Sequence, residues 1–251
     1  MTILSCQSGQ VARATLPTLA AVIAAGASIV LGAGAGGASA HSCAKSGEFR
    51  IRAADGIRLA GHRFGRGPTA VVFAHERRGG ACRWIPYARA LAARGYLTIA
   101  FDFRGYGASQ SPYGDAAFRQ PADVTAMAKR ARALGAKKVV LVGASMGGTA
   151  VVVAAANARP TVDGVVSLSG PSTFGVMNGV AAAKKLTMPT LYVVGSRDGG
   201  FLDESRALYD ATASTSKRLE IVDSDDHGVD LLADRATRAT VEQFIAEQAK
   251  T

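Results

Sequence analysis

The strongest chemical signal in the sequence is a serine set among glycines, Gly143-Ala144-Ser145-Met146-Gly147-Gly148. An apolar run, Lys138–Val142, precedes it and reads as a strand; Met146–Ala158 follows and reads as a helix. A serine on so sharp a strand-to-helix turn is held in a strained backbone conformation. The glycines two positions away on either side let strand and helix approach closely. The hydroxyl is thereby presented at the C-terminal edge of a sheet and at the positive end of a helix, where a developing anion is favoured.

A serine hydroxyl is a weak nucleophile until a base takes its proton and a third group orients that base. His227, in Asp225-Asp226-His227-Gly228, lies between the last expected strand and the last expected helix, on a loop at the same sheet edge. Of the other histidines, His41 stands far from these elements, His62 falls in an early strand, and His75 belongs to a separate loop. The orienting acid is expected between Ser145 and His227 in chain order. Asp198, in Gly195-Ser196-Arg197-Asp198-Gly199-Gly200, follows the strand Thr190–Val194 and meets that condition. Asp223, Asp225 and Asp226 are rivals, but they lie so near His227 in sequence that reaching its Nδ1 would take a tight local fold.

These residues need a frame that brings several loops to one edge. From Gly47 onward the sequence alternates runs that read as strands with runs that read as helices. Glu48–Arg52 and Leu59–Phe64 read as two strands joined at the turn Asp55-Gly56. Thr69–Ala74, Leu97–Phe101, Lys138–Val142, Gly164–Leu168, Thr190–Val194 and Arg218–Val222 read as further strands. Helices are expected over Ile85–Arg94, Pro121–Leu134, Met146–Ala158, Asp203–Ala213 and Ala233–Gln248. Continuous apolar strands joined by helices imply an α/β fold, a mostly parallel central sheet with helices on both faces. The Gly-rich stretch Gly32–Gly37 has no strand before it and is not read as a dinucleotide site.

The order Ser145, Asp198, His227 on this frame resembles the α/β-hydrolase superfamily over roughly Glu48 to Gln248, in a compact form close to serine esterases and dienelactone hydrolases. Phe73-Ala74-His75-Glu76-Arg77-Arg78-Gly79-Gly80 looks like the superfamily's oxyanion segment, and Asp102-Phe103-Arg104-Gly105-Tyr106-Gly107-Ala108-Ser109 is similar to its D-x-R-G-x-G-x-S loop. The resemblance implies two backbone N–H donors for a tetrahedral oxyanion. One is Met146; the other is Arg77, with Glu76 second, because Glu76 stands where the superfamily usually has glycine. His75 would then be a structural member of its loop. The resemblance further implies hydrolysis of carboxylic esters through an acyl-enzyme on Ser145, with no cofactor. A serine peptidase or acyltransferase on the same scaffold, or a non-catalytic envelope binding protein, is the alternative.

Many relatives insert a helical lid between the strand ending near Leu168 and the one starting at Thr190. Here that interval, Ser169 to Pro189, is too short for a large lid domain. The substrate is expected to be a small-molecule or polymer-borne ester, and the open, shallow site suits exposed or polymeric esters more than a small sequestered one. Arg77, Arg78, Arg83 and Arg104 fall on loops near this edge and would favour an anionic substrate, unless they are solvated or paired with acids such as Glu76.

Composition narrows the remaining classes. The 251 residues carry a formal net charge of +10, but the basic residues are scattered and no run reaches five, so no nucleic-acid function is expected. No CxxC, HExxH or His/Cys cluster occurs, and no metal is expected. Residues 1–40 hold one basic residue, Arg13, and no acid; their apolar run ends in Ala38-Ser39-Ala40. This reads as a signal peptide, leaving 41–251 as one hydrolase domain that is secreted or held in the cell envelope. Membrane attachment would come only through an N-terminal anchor. Cys43 and Cys82 would remain in an oxidising compartment, able to form a disulfide.

Overall fold

The structure, a computed structural model, describes residues 48–250. The expected signal peptide, its cleavage site, His41 and Cys43 lie outside the described residues. Ten strands and six helices follow one another: β1 (Glu48–Arg52), β2 (Arg58–Phe64), β3 (Thr69–Ala74), α1 (Ile85–Ala93), β4 (Leu97–Phe101), α2 (Gln120–Ala133), β5 (Lys138–Ala144) and α3 (Met146–Asn157). Then come β6 (Gly164–Leu168), β7 (Thr173–Phe174), β8 (Met177–Asn178), α4 (Gly179–Ala183), β9 (Thr190–Gly195), α5 (Phe201–Ala211), β10 (Lys217–Val222) and α6 (Arg235–Lys250).

Eight strands form one sheet in the order β1-β2-β4-β3-β5-β6-β9-β10. Pairs β1–β2 and β2–β4 are antiparallel, and all others are parallel. The expected mostly parallel sheet is therefore present, with an antiparallel margin at β1 and β2.

The strand sequences show why helices must cover both faces. Along β5, Val139 and Leu141 join one apolar cluster while Val140 and Val142 join another. Successive side chains of a strand point to opposite faces, so a run of valines and leucines needs cover on each side. The first cluster takes residues of α2, α3, α4 and α5; the second takes residues of α1 and α6. Trp84, fully buried, stacks on Phe73 in the second cluster at 4.8 Å between ring centroids.

The interval between β6 and β9 holds only the β7–β8 hairpin and the five-residue α4. No large lid is built there. α5 starts at Phe201, two residues earlier than the sequence pattern suggested, in a turn opened by Gly199 with φ +50°.

Candidate active site

The turn between β5 and α3 has the strain its sequence implies. Ser145 caps α3 with φ +49° and ψ −118°, a region that L-residues rarely occupy. Two glycines make the turn sterically feasible. A Cβ on Gly143 would lie 2.2 Å from Gly147 O, and one on Gly147 would lie 2.2 Å from Ala74 O. Both obstacles are backbone, so neither position accepts a side chain without moving the turn. Ser145 N–H donates to Leu168 O at 2.8 Å, which pins the turn to the end of β6.

Asp198 and His227 arrive from neighbouring strand ends. His227 Nδ1 lies 2.9 Å from Asp198 Oδ1 and 3.0 Å from Oδ2. An ionised carboxylate only accepts, so Nδ1 carries the proton and Nε2 keeps its lone pair. That is the tautomer a base needs. Asp198 is 6% exposed, and Phe201 lies against the imidazole at 4.3 Å between centroids. The two loops are stitched by Arg197 N–H to Ser224 O at 2.9 Å. The histidine loop also touches the serine turn: a Cβ on Gly228 would lie 3.3 Å from Ala144 Cβ and 4.0 Å from Ser145 N. Ser145 Oγ makes no hydrogen bond to His227 in this state, a contact that commonly tightens only with substrate bound. The rival acids are engaged elsewhere: Asp223 pairs with Arg197, and Asp226 takes the Ser224 hydroxyl. Asp225 is exposed.

The segment after β3 packs under the same turn. His75 is fully buried; its Nε2 accepts the Phe103 N–H at 3.0 Å, so its proton sits on Nδ1 and is donated to Glu76 O at 2.7 Å. Burial pushes the pKa of this imidazole down. With both nitrogens occupied it is a fixed strut rather than a base. Glu76 O also accepts Gly79 N–H at 3.0 Å, closing a turn in which Arg78 has φ +65°. N–H and C=O point in opposite directions across a trans peptide, so the Arg77 N–H faces away from the group its neighbouring carbonyl serves. It has no partner among the described residues. The Met146 N–H, at the first position of α3, has no intrahelical acceptor. Tyr106 links the two segments, its ring 4.9 Å from His75 and its hydroxyl 3.7 Å from Met146 Sδ.

Of the four arginines near this edge two are paired with acids and two are exposed, the alternative the sequence left open. Arg104 has a side chain with no exposure, and its guanidinium and backbone N–H are taken by Asp123 (2.6 to 3.1 Å), Asp55 (2.7 Å) and Ala116 O (2.9 Å). Arg83 joins Glu76 at 2.8 Å to Asp230 at 2.7 Å, holding the segment after β3 to the turn beyond His227. These two are spent on structure because acids from distant segments, Asp55, Asp123 and Asp230, close on them. Arg77 and Arg78 remain exposed. Asp102 is likewise structural, accepting Ala81 N–H at 2.8 Å and Ala108 N–H at 3.0 Å. The sequence places Asp55 in a turn and Asp123 in a helix, and no spacing pattern marks either as a partner of Arg104.

Cys82 is disulfide-bonded, and its expected partner Cys43 lies outside the described residues. Among the described residues no group of three or more His, Cys, Asp or Glu gathers to hold a metal, and no helix is long and apolar enough to cross a membrane.

Comparison with known proteins agrees with this frame. A family model described as alpha/beta hydrolase fold matches residues 69–193. An esterase from Pyrococcus furiosus superposes with a TM-score of 0.67 at 17% identity, covering 80% of this chain and 90% of that one. A monoacylglycerol lipase from Paleococcus ferrophilus gives 0.62 at 20% identity, covering 75% and 98%. An enol-lactonase from Burkholderia xenovorans gives 0.66 at 15% identity, covering 79% and 100%.

Proposed function

We propose that this chain, which belongs to the alpha/beta hydrolase superfamily, is a serine hydrolase that cleaves carboxylic esters. The observation that carries the reading is the His227–Asp198 pair, with its proton fixed on Nδ1, delivered by a loop that packs on the strained Ser145 turn. The names of the similar structures, an esterase, a lipase and a lactonase, all describe acyl–oxygen chemistry and support it.

In the proposed reaction His227 Nε2 takes the Ser145 proton as Oγ attacks the ester carbonyl. The tetrahedral oxyanion lies between the N–H groups of Met146 and Arg77; one such donor contributes ~3 kcal/mol to transition-state stabilisation. Glu76 stays the second candidate for that donor, since its backbone N–H also has no partner among the described residues. His227 then protonates the leaving alkoxide. Water, deprotonated by the same nitrogen, attacks the acyl-serine and releases the acid. No step calls for a metal or an organic cofactor. The short β6–β9 interval supports an open site for small or polymer-borne esters. A disulfide at Cys82 supports an oxidising compartment, consistent with a leader over residues 1–40 and a secreted or envelope protein.

The test is hydrolysis of short p-nitrophenyl esters by the protein and by its Ser145→Ala variant. Activity that disappears in a folded variant supports the reading. Equal rates in both refute it, and labelling of Ser145 by a fluorophosphonate without ester turnover would favour a peptidase or acyltransferase.

A further inference from the structure

One strand over from the nucleophile turn, the end of β6 repeats its backbone conformation. Ala144 pairs with Leu168 in the sheet, which makes Ser145 and Ser169 lateral neighbours at the C-terminal edge. Both have φ +49°. At Ser145 the strand-to-helix turn accounts for the strain. At Ser169 no helix follows; the chain runs on through Gly170-Pro171. A non-glycine residue held at positive φ in a fully buried position indicates that its side chain is needed where that backbone puts it. The Ser169 hydroxyl accepts the N–H of Gly228 at 3.0 Å, across 59 residues, and Gly228, itself at φ +60°, immediately follows His227.

The other hydrogen bonds of the histidine loop do different work. Arg197 N–H to Ser224 O, Ser196 N–H to Val222 O and the Asp198 carboxylate tie residues 222–227 to the end of β9 and the turn after it. They hold His227 to its acid but not to its nucleophile. The Arg83–Asp230 pair reaches the segment after β3. Among the described residues, Gly228 to Ser169 is the hydrogen bond that fastens the histidine loop to the β5–β6 edge on which Ser145 sits.

We infer that Ser169 is a positioning residue, whose hydroxyl sets the height of Gly228 and through it the reach of His227 to Ser145. Its kinetic consequence rests on the hydrolase reading above; its structural consequence does not. The test uses Ser169→Ala, Ser169→Gly and Ser169→Ala combined with His227→Ala. Both single variants lose kcat on a p-nitrophenyl ester by roughly ten- to a hundredfold with KM little changed, the size expected of a small misplacement of a reacting group. Ser169→Gly melts no lower than Ser169→Ala, because glycine adopts positive φ without strain, yet it is equally slow. In the His227→Ala background Ser169→Ala changes the residual rate by less than about twofold, as it must if it acts through the imidazole.

Full kcat in either single variant overturns the inference. So does activity that tracks melting temperature across the series, or an undiminished Ser169→Ala effect without His227. A parent that hydrolyses no ester sinks the functional reading by itself. The inference is then decided by NMR of the same proteins: faster exchange of the Gly228 amide and of the His227 Nδ1 proton in Ser169→Ala upholds it, and unchanged exchange overturns it.

Discussion

Replacing Arg104 by methionine tests whether the loop after β4 is held by a buried ion network or by packing alone. Arg104 and Asp123 have side chains with no solvent exposure, and Asp55 is 19% exposed. In Arg104→Met the guanidinium bonds to Asp123, Asp55 and Ala116 O vanish, while the backbone N–H of residue 104 still donates to Asp123 Oδ2. Asp55 can turn to water. Asp123 cannot, and a carboxylate left buried without its partner costs about 3–5 kcal/mol. For a domain of this size that is a fall of roughly 6–20 °C in melting temperature. Burial already holds the Asp123 carboxyl above its usual pKa, and losing the Arg104 guanidinium, which lowers it, raises it further. The loss should therefore be larger at pH 8 than at pH 5. Guanidinium denaturation at both pH values, with the m-value checked for constancy, measures it. The double variant Arg104→Met, Asp123→Leu removes the stranded charge and should recover a large part of the loss, giving a coupling of at least ~2 kcal/mol. A single-variant cost below ~1 kcal/mol, or strict additivity of the pair, refutes the reasoning.

Other consequences are as direct. Asp198→Asn keeps the shape of the acid but can offer Nδ1 an N–H, which reverses the tautomer; kcat should fall by roughly 10³–10⁴ with the melting curve little changed, read by ester turnover and calorimetry. Gly147→Ala places a methyl against Ala74 O and His75 O, both backbone, and should abolish activity while destabilising the fold by about 1–3 kcal/mol in denaturant titration. Asp55 titrates below its usual range because Arg104 hydrogen-bonds it, so it binds fewer protons folded than unfolded. Its contribution is present above its unfolded pKa and lost as pH falls through the folded one, and Asp55→Asn should flatten acid unfolding below about pH 4. Arg83→Gln, in a half-exposed pair, should cost under ~1 kcal/mol and lose even that effect at high salt.

Some of this protein could be read without coordinates because the governing physics is local in sequence. Valine-rich runs such as Thr69–Ala74 and Lys138–Ala144 can only be strands covered on both faces, and Gly143 is dictated by the approach of Gly147 O, four residues along the chain. Chain order admitted Asp198, Asp223, Asp225 and Asp226 alike, and separation from His227 favoured Asp198; in the structure the Asp198 carboxylate meets the imidazole. What only tertiary structure decided are the pairings across long stretches of chain. Arg104 looks like a cation at a cleft until Asp55 and Asp123 close on it from 49 and 19 residues away. Ser169 looks like any strand-end serine until Gly228 arrives 59 residues later. A side chain's partner depends on where the sheet lays distant segments side by side, and no spacing within either segment records that adjacency.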